Sequence, residues 1–224
     1  MTTTFIKADI HDEIKNFPDN HFDFIYTNPP FGTTGQKWDI SLDWTNLFPS
    51  MWRVLKDDGC IAIHTAMPFT YDLIALQKPK YHYVWQKSTP TLFLHAKKQP
   101  LRDTEEILIF YKKSHKYNPQ MIGDEVYTKI SHTNTKYYIM KNRENHKGTK
   151  HQVGQYPRTF IGKFKRVIKG GKSVPEEIIR RMILTHSNEN DKILDMTHHN
   201  QYVGDIAKEL NRNYIGVDIQ PEFY

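Results

Sequence analysis

The sequence predicts an α/β fold built on a parallel-rich, doubly wound sheet. Three observations predict it. Short apolar runs alternate with segments whose apolar residues recur at helical spacing. Four strand-like runs lead into a short polar residue, Asp9, Asn28, Asp195 or Asp218, at the carboxyl ends where such sheets bind ligands. Hydrophobic residues are 38% and aromatics 13% of 224 residues, enough for one domain, with or without an insertion, around a real core.

The elements are justified in chain order. Residues 4–7 read as a strand and residues 11–16 as a short helix. Residues 23–26 form the next strand, which runs into a Pro-Pro turn. Leu47, Phe48, Met51, Trp52 and Leu55 recur at helical spacing, and Asp57-Asp58-Gly59 should end that helix. Residues 60–64 are a buried strand, with further strands expected at 81–86 and 106–111. Residues 113–172 show little periodicity and much polarity, and read as an inserted region carrying loops. Order returns at Ser173, which can cap a helix with Glu176 completing a capping box. Ile178, Ile179, Met182 and Ile183 make its buried stripe. Residues 192–194 are a strand ending at Asp195. Val203, Ile206, Ala207 and Leu210 mark a last helix, and residues 214–217 a strand ending at Asp218.

Composition narrows the function. No run of about 18 apolar residues exists, which argues against a membrane span. The first residues lack the basic-then-apolar pattern of a secretory signal. Cys60 is the only cysteine, which excludes an internal disulfide and a multi-cysteine metal site and suits a reducing, cytoplasmic setting. Cys60 lies in an apolar run and reads as a buried structural thiol. The net charge of +6 is concentrated: residues 141–172 hold ten basic residues against one acid, Glu144. Lys141, Arg143, Lys147, Lys150, Arg158, Lys163, Lys165 and Arg166, with Gly, His, Asn and Tyr interleaved, suit phosphate contacts to a nucleic acid such as double-stranded DNA. A solvated loop is the plainer alternative.

Asn28-Pro29-Pro30-Phe31 carries the chemistry. An amine conjugated to a base ring is a poor nucleophile because its lone pair is delocalised. The Asn28 side-chain carbonyl and the Pro29 backbone carbonyl can accept hydrogen bonds from such an amine, turning the lone pair out of the ring plane. Phe31 can stack on a base that has left the duplex. Taken alone, Pro-Pro after a strand is also an ordinary rigid turn.

With these residues in view, the chain resembles a β-class DNA amino-methyltransferase of the adenine-N6 or cytosine-N4 type, over nearly its whole length. Residues 23–31 resemble the catalytic motif, usually Asp-Pro-Pro-Tyr in this class. Lys37-Trp38-Asp39, Arg53-Val54-Leu55-Lys56, Trp85-Gln86-Lys87 and Pro100-Leu101-Arg102 resemble the strings that come after that motif in the family, as does Glu106-Ile107-Leu108-Ile109-Phe110. The stretch from Lys172 to Pro175 resembles a further cofactor motif, and Tyr214-Ile215-Gly216-Val217-Asp218 the ribose-binding motif. The resemblance implies a Rossmann-like methyltransferase fold, with an inserted target-recognition region within residues 113–172, and S-adenosylmethionine as cofactor. It implies contacts from Asp9, Asp195, Thr197, Asp218 and Lys172. Asn28 in place of Asp leans toward adenine.

One motif departs from the family. The cofactor loop usually reads Asp-Pro-Phe-x-Gly-Ser-Gly-Thr-Thr. From Asp195 this chain has Met196, Thr197, His198, His199, Asn200, Gln201, Tyr202 and Val203, so His199 and Gln201 replace both glycines. Glycine serves there because backbone approaches the cofactor closely, often with positive φ. The methionine-moiety pocket is therefore expected to be altered or filled. Adjacent His198 and His199 without a neighbouring cysteine are a weak metal pattern, and the sequence assigns no metal. Two readings stay open: an active DNA methyltransferase, or an inert methyltransferase-like DNA binder or partner subunit. Similar tetrapeptides also serve amide nitrogens, which leaves RNA or a translation factor as a more distant substrate. The stop at Tyr224, soon after Asp218, suggests a covering homodimer or methyltransferase partner contact.

Overall fold

A computed structural model of the chain describes residues 1–130, 149–165 and 174–219. The chain falls into two compact units, one of Met1–Asn118 with Arg158–Tyr224 and one of Pro119–Pro157. The first is organised around β2 (Phe22–Thr27), whose six residues are all buried, as a central parallel strand requires. Along the chain come β1 (Thr3–Lys7), α1 (Ile10–Asn16), β2, α2 (Trp44–Val54), β3 (Leu55–Thr65), α3 (Phe69–Leu76), β4 (Tyr81–Thr91) and β5 (Arg102–Phe110). The second unit holds β6 (Ile122–Ile130) and β7 (Thr149–Gln155). After it the chain continues through β8 (Phe160–Phe164), α4 (Glu176–His186), β9 (Lys192–Asp195), α5 (Tyr202–Glu209) and β10 (Asn213–Asp218).

The eight strands of the first unit lie in the order β1-β10-β9-β2-β3-β5-β4-β8, all parallel except β5. Alternate residues feed opposite layers. Ile25, Ile61, Ile63, Leu108 and Phe110 pack with α1, α2 and α3. Phe24, Cys60, Ala62, Ile107 and Ile109 pack with α4 and α5. From β9 the chain moves outward through α5 to β10, and from the adjacent β2 it moves the other way through α2 to β3. The switch point, where such sheets bind ligands, therefore lies beyond the carboxyl ends of β9 and β2.

Several expectations needed correction. Helix α2 stops at Val54, because Leu55 already pairs with Phe22; Asp57-Asp58-Gly59 lies inside β3. The sequence missed α3, whose exposed Tyr71, Ile74 and Leu76 mix with buried Phe69 and Leu73 and blur the helical period. Ser173 lies outside the described residues. Helix α4 starts at Glu176 with Pro175 at its N-cap and no side-chain cap, so Glu176 sits too early to close a capping box and instead pairs forward with Arg180 at 2.6 Å. The stretch read as loops holds strands: β8 returns to the main sheet as an edge strand parallel to β4. In the second unit β6 and β7 pair as an antiparallel ribbon. Their paired Val126 and Val153 are both exposed, so the ribbon shows no apolar face that periodicity would reveal. Among the described residues no helix is long and apolar enough to cross a membrane.

Candidate active site

The crevice wall on the β2 side begins where Thr27 ends the strand. Asn28 and Pro30 are half-buried and Pro29 is buried. Phe31 lies 5.4 Å from Phe69 with planes 20° apart, so Phe69 covers one face of its ring. The chain then turns at Gly32, with φ of +66°, where a side chain would also crowd Ser41. Asp39 fixes this turn. It is 7% exposed and accepts hydrogen bonds from the backbone amides of Gly32, Thr33 and Thr34 at 2.8, 2.9 and 2.7 Å, and from the Thr34 hydroxyl at 2.7 Å. Burial pushes its pKa up, but these donors outweigh burial and hold the carboxyl below the usual range. Lys37-Trp38-Asp39 resembled the family as a string; the fold shows that Asp39 clamps the loop behind the tetrapeptide.

The β9 side is built from the unusual loop. Asp195 is 2% exposed, with Oδ1 accepting from the Thr197 amide at 3.1 Å and Oδ2 from the Tyr214 hydroxyl at 3.0 Å. Burial raises its pKa to about 7, against the lowering effect of those two donors. Both carboxylate oxygens are thus engaged within the fold, so Asp195 braces the loop. The Thr197 hydroxyl lies 2.8 Å from the Thr27 hydroxyl and joins the two walls. The His198 ring is 2% exposed and lies inside the fold, 5.1 Å from Phe5. It sits over Gly216, where a Cβ would come within 2.7 Å of His198 Cγ. His199 is exposed, and its amide donates to Asp218 Oδ2 at 3.2 Å.

At the two lost glycines the structure shows ordinary backbone angles and two exposed side chains, His199 and Gln201. Among the described residues, the non-glycine positions with positive φ are Asn20, Leu92, Asn190 and Asn211. His199 and Gln201 are not among them, and Gln201 has φ of −68°. The loop turns without the left-handed step that glycine would serve. The ring of His198, which stands just before the first lost glycine, points into the core.

The remaining sequence candidates are dispersed. Asp218 ends β10, half-buried, opposite the loop. Asp9 caps α1, accepting from the His11 amide at 2.9 Å and bonding His11 Nδ1 at 2.8 Å; the amide bond most of all lowers its pKa. Lys163 and Lys165 are exposed, and because β8 runs parallel to β4 and β3, Lys165 lies at the same carboxyl edge as Asn28. Arg158 precedes β8, towards the amino edge. Lys141, Arg143, Lys147, Arg166 and Lys172 fall outside the described residues; Lys150 is placed on β7 by its backbone. The sequence reading overlooked the largely buried pair of Lys87 with Glu105, at 2.9 Å across β4 and β5. Both residues lie in or beside quoted family strings, but only the strand register reveals the pairing.

The model of the N6/N4 DNA methylase family matches residues 22–224. The chain belongs to this family. As a DNA amino-methyltransferase it is 26% identical, over 98% of its length and 79% of the relative's, to the DNA adenine methyltransferase YhdJ of Escherichia coli. It is 27% identical to the type II methyltransferase M.HpaI of Haemophilus parainfluenzae, over 94% of this chain and 68% of that one. The fold matches the cytosine-N4-specific PvuII DNA methyltransferase with a TM-score of 0.65 at 14% identity, covering 99% and 84% of the two chains. It also matches the M1.HpyAVI–SAM complex at 0.61 and 19% identity, covering 99% and 96%. S-adenosylmethionine is the family's cofactor; toward it this chain offers the Asp218 carboxylate at the end of β10 and a β9 loop that turns at ordinary backbone angles, with His199 and Gln201 exposed.

Proposed function

We propose that this DNA methylase methylates the exocyclic amine of a base taken out of the duplex, adenine N6 in preference to cytosine N4. The observation that carries the reading is the position of Asn28-Pro29-Pro30-Phe31 at the switch point, on the wall facing the β9 loop and Asp218. When bound, S-adenosylmethionine supplies an electrophilic methyl group on a sulfonium. Asp218 would hold its ribose hydroxyls, with the backbone of residues 197–200 beside it. Asn28 Oδ1 and the Pro29 carbonyl would accept hydrogen bonds from the target amine, drawing its lone pair out of conjugation. The Phe31 face not covered by Phe69 would stack on the base. Asp39 and the Thr27–Thr197 bridge act as positioning residues: they hold the two walls in register, and orientation of the two reactants accounts for most of the expected acceleration. Asn28, rather than the Ser that leads many cytosine-N4 enzymes, supports adenine, as does the likeness to an adenine methyltransferase. Lys163 and Lys165, with the basic residues of 141–166, would contact DNA phosphates.

Labelled S-adenosylmethionine incubated with DNA, followed by digestion to nucleosides, tests this. Label in N6-methyladenine is the expected product. Label in N4-methylcytosine would overturn the base assignment, and label in neither base would overturn the activity.

A further inference from the structure

In the layer packed under α4, Cys60, His115 and His186 converge, each from a different element. Cys60 enters from β3, His115 from the stretch after β5, and His186 from the end of α4. One ligand atom of each lies within 4.8 Å of the others. Cys60 and His186 are fully buried and His115 is half-buried. Neither ring nitrogen of His186 has a hydrogen-bond partner among the described residues. A buried polar group left so costs about 1–3 kcal/mol, and such groups call for an explanation. The rings of His115, Phe24, Tyr83 and Tyr117 surround that of His186 at 5.4, 5.6, 6.1 and 6.3 Å, and none hydrogen-bonds to its nitrogens.

We infer that Cys60, His115 and His186 bind one transition-metal ion of the zinc class, using a thiolate and two neutral imidazoles. Zinc takes sulfur and imidazole donors at about 2.3 and 2.0–2.1 Å, so neighbouring donors in a tetrahedral site stand roughly 3.3–3.6 Å apart. Closing the group from within 4.8 Å needs movements of about 1 Å, within reach of side-chain rotation. The backbone is already held. Lys116, next to His115, bonds Asp23 at 2.7 Å and Asp191 at 2.8 Å, and its amide donates to the Asp58 carbonyl. The Asn118 amide donates to the Thr185 carbonyl at 2.8 Å, one residue before His186. The Tyr111 ring stacks on His115 at 4.2 Å. Binding replaces the Cys60 S–H bond with a metal–sulfur bond and releases that proton to solvent, so affinity rises with pH. The fourth position of the ion is left to a solvent molecule. Such an ion would staple β3 and α4 to the stretch that leads into the second unit. The three residues are 55 and 71 positions apart in sequence, so no spacing pattern exposes them.

Cobalt(II) titration of the folded, metal-stripped full chain tests the site. Because Cys60 is the sole cysteine, a thiolate-to-cobalt charge-transfer band in the near ultraviolet has one possible source. The expected result is a band that saturates at one ion per chain and is bleached by zinc. It should vanish in Cys60→Ser and require on the order of tenfold more cobalt in His115→Ala. His115 is only half-buried, so its variant tests the site even where Cys60→Ser fails to fold. No band in the folded wild type, or a titration unchanged in His115→Ala, overturns the proposal.

Discussion

The loops after β2 and β9 face one crevice, yet they are held by different means. The first keeps its turn through a glycine at φ of +66° and a carboxylate, Asp39, that gathers three successive backbone amides. The second has neither loop glycine. It is held from inside: Asp195 braces Thr197 and Tyr214, and the His198 ring lies on Gly216 and against Phe5. The difference teaches that a loop can turn without glycine where the backbone needs no positive φ, with the replacing side chains of His199 and Gln201 left exposed. Its packing needs a glycine on the neighbouring strand, at Gly216, where a Cβ would meet His198 and Tyr214.

The largest expected effect falls on the β2 side. Asn28→Ala removes an acceptor aimed at the target amine, and methyl transfer should drop on the order of 100-fold or more. Cofactor affinity and melting temperature should stay close to the wild type; transfer within twofold of the wild type would remove Asn28 from the chemistry. Asp39→Ala should come next. It strips the partners from three loop amides and should lower transfer roughly ten- to hundredfold through misplacement alone, at about 1–3 kcal/mol of stability. Rapid amide exchange confined to residues 32–34 would show the clamp lost, and unchanged exchange there would contradict it.

On the β9 side the expected effects concern stability. Gly216→Ala drives a methyl into His198 and should cost about 1–3 kcal/mol in urea unfolding. His198→Gly removes the Cγ and Cβ atoms that lie 2.7 and 2.8 Å from that methyl and leaves Tyr214 Cε1 at 2.9 Å, so the double variant should show favourable coupling of about 0.5–3 kcal/mol. Additive losses would mean that His198 does not lie on Gly216. The smallest effect per step, read one pH unit at a time, is a pH dependence. Burial raises the Asp195 pKa from 3.8 to about 7. Its contribution is complete below 3.8 and lost as pH rises through about 7, because the folded state holds the proton more tightly. Asp195→Asn keeps an acceptor for Tyr214 but has no proton to lose. Wild type minus variant should therefore decline across that window, by at most about 1.4 kcal/mol per pH unit. Parallel curves would place the carboxyl in contact with water.

Much of this was legible in the sequence. Alternating apolar runs marked the parallel strands, and polar residues at their ends marked the crevice, because both depend on local period and chain order. Asp39 matched a family string, but its clamp depends on the loop doubling back through Gly32. The ribbon of β6 and β7 escaped because a two-stranded element with exposed Val126 and Val153 has no buried face to impose alternation. His199 and Gln201 suggested a damaged cofactor loop, since residue type alone does not reveal φ. The Cys60, His115 and His186 group joins residues that only the layered fold brings together.

The claim that the β9 loop still serves its cofactor is tested most directly by calorimetric titration of the wild-type chain with S-adenosylmethionine. The account predicts one molecule bound per chain with a micromolar dissociation constant, weakened on the order of tenfold or more by Asp218→Ala. No binding at millimolar concentration, or equal binding by the Asp218 variant, would contradict it.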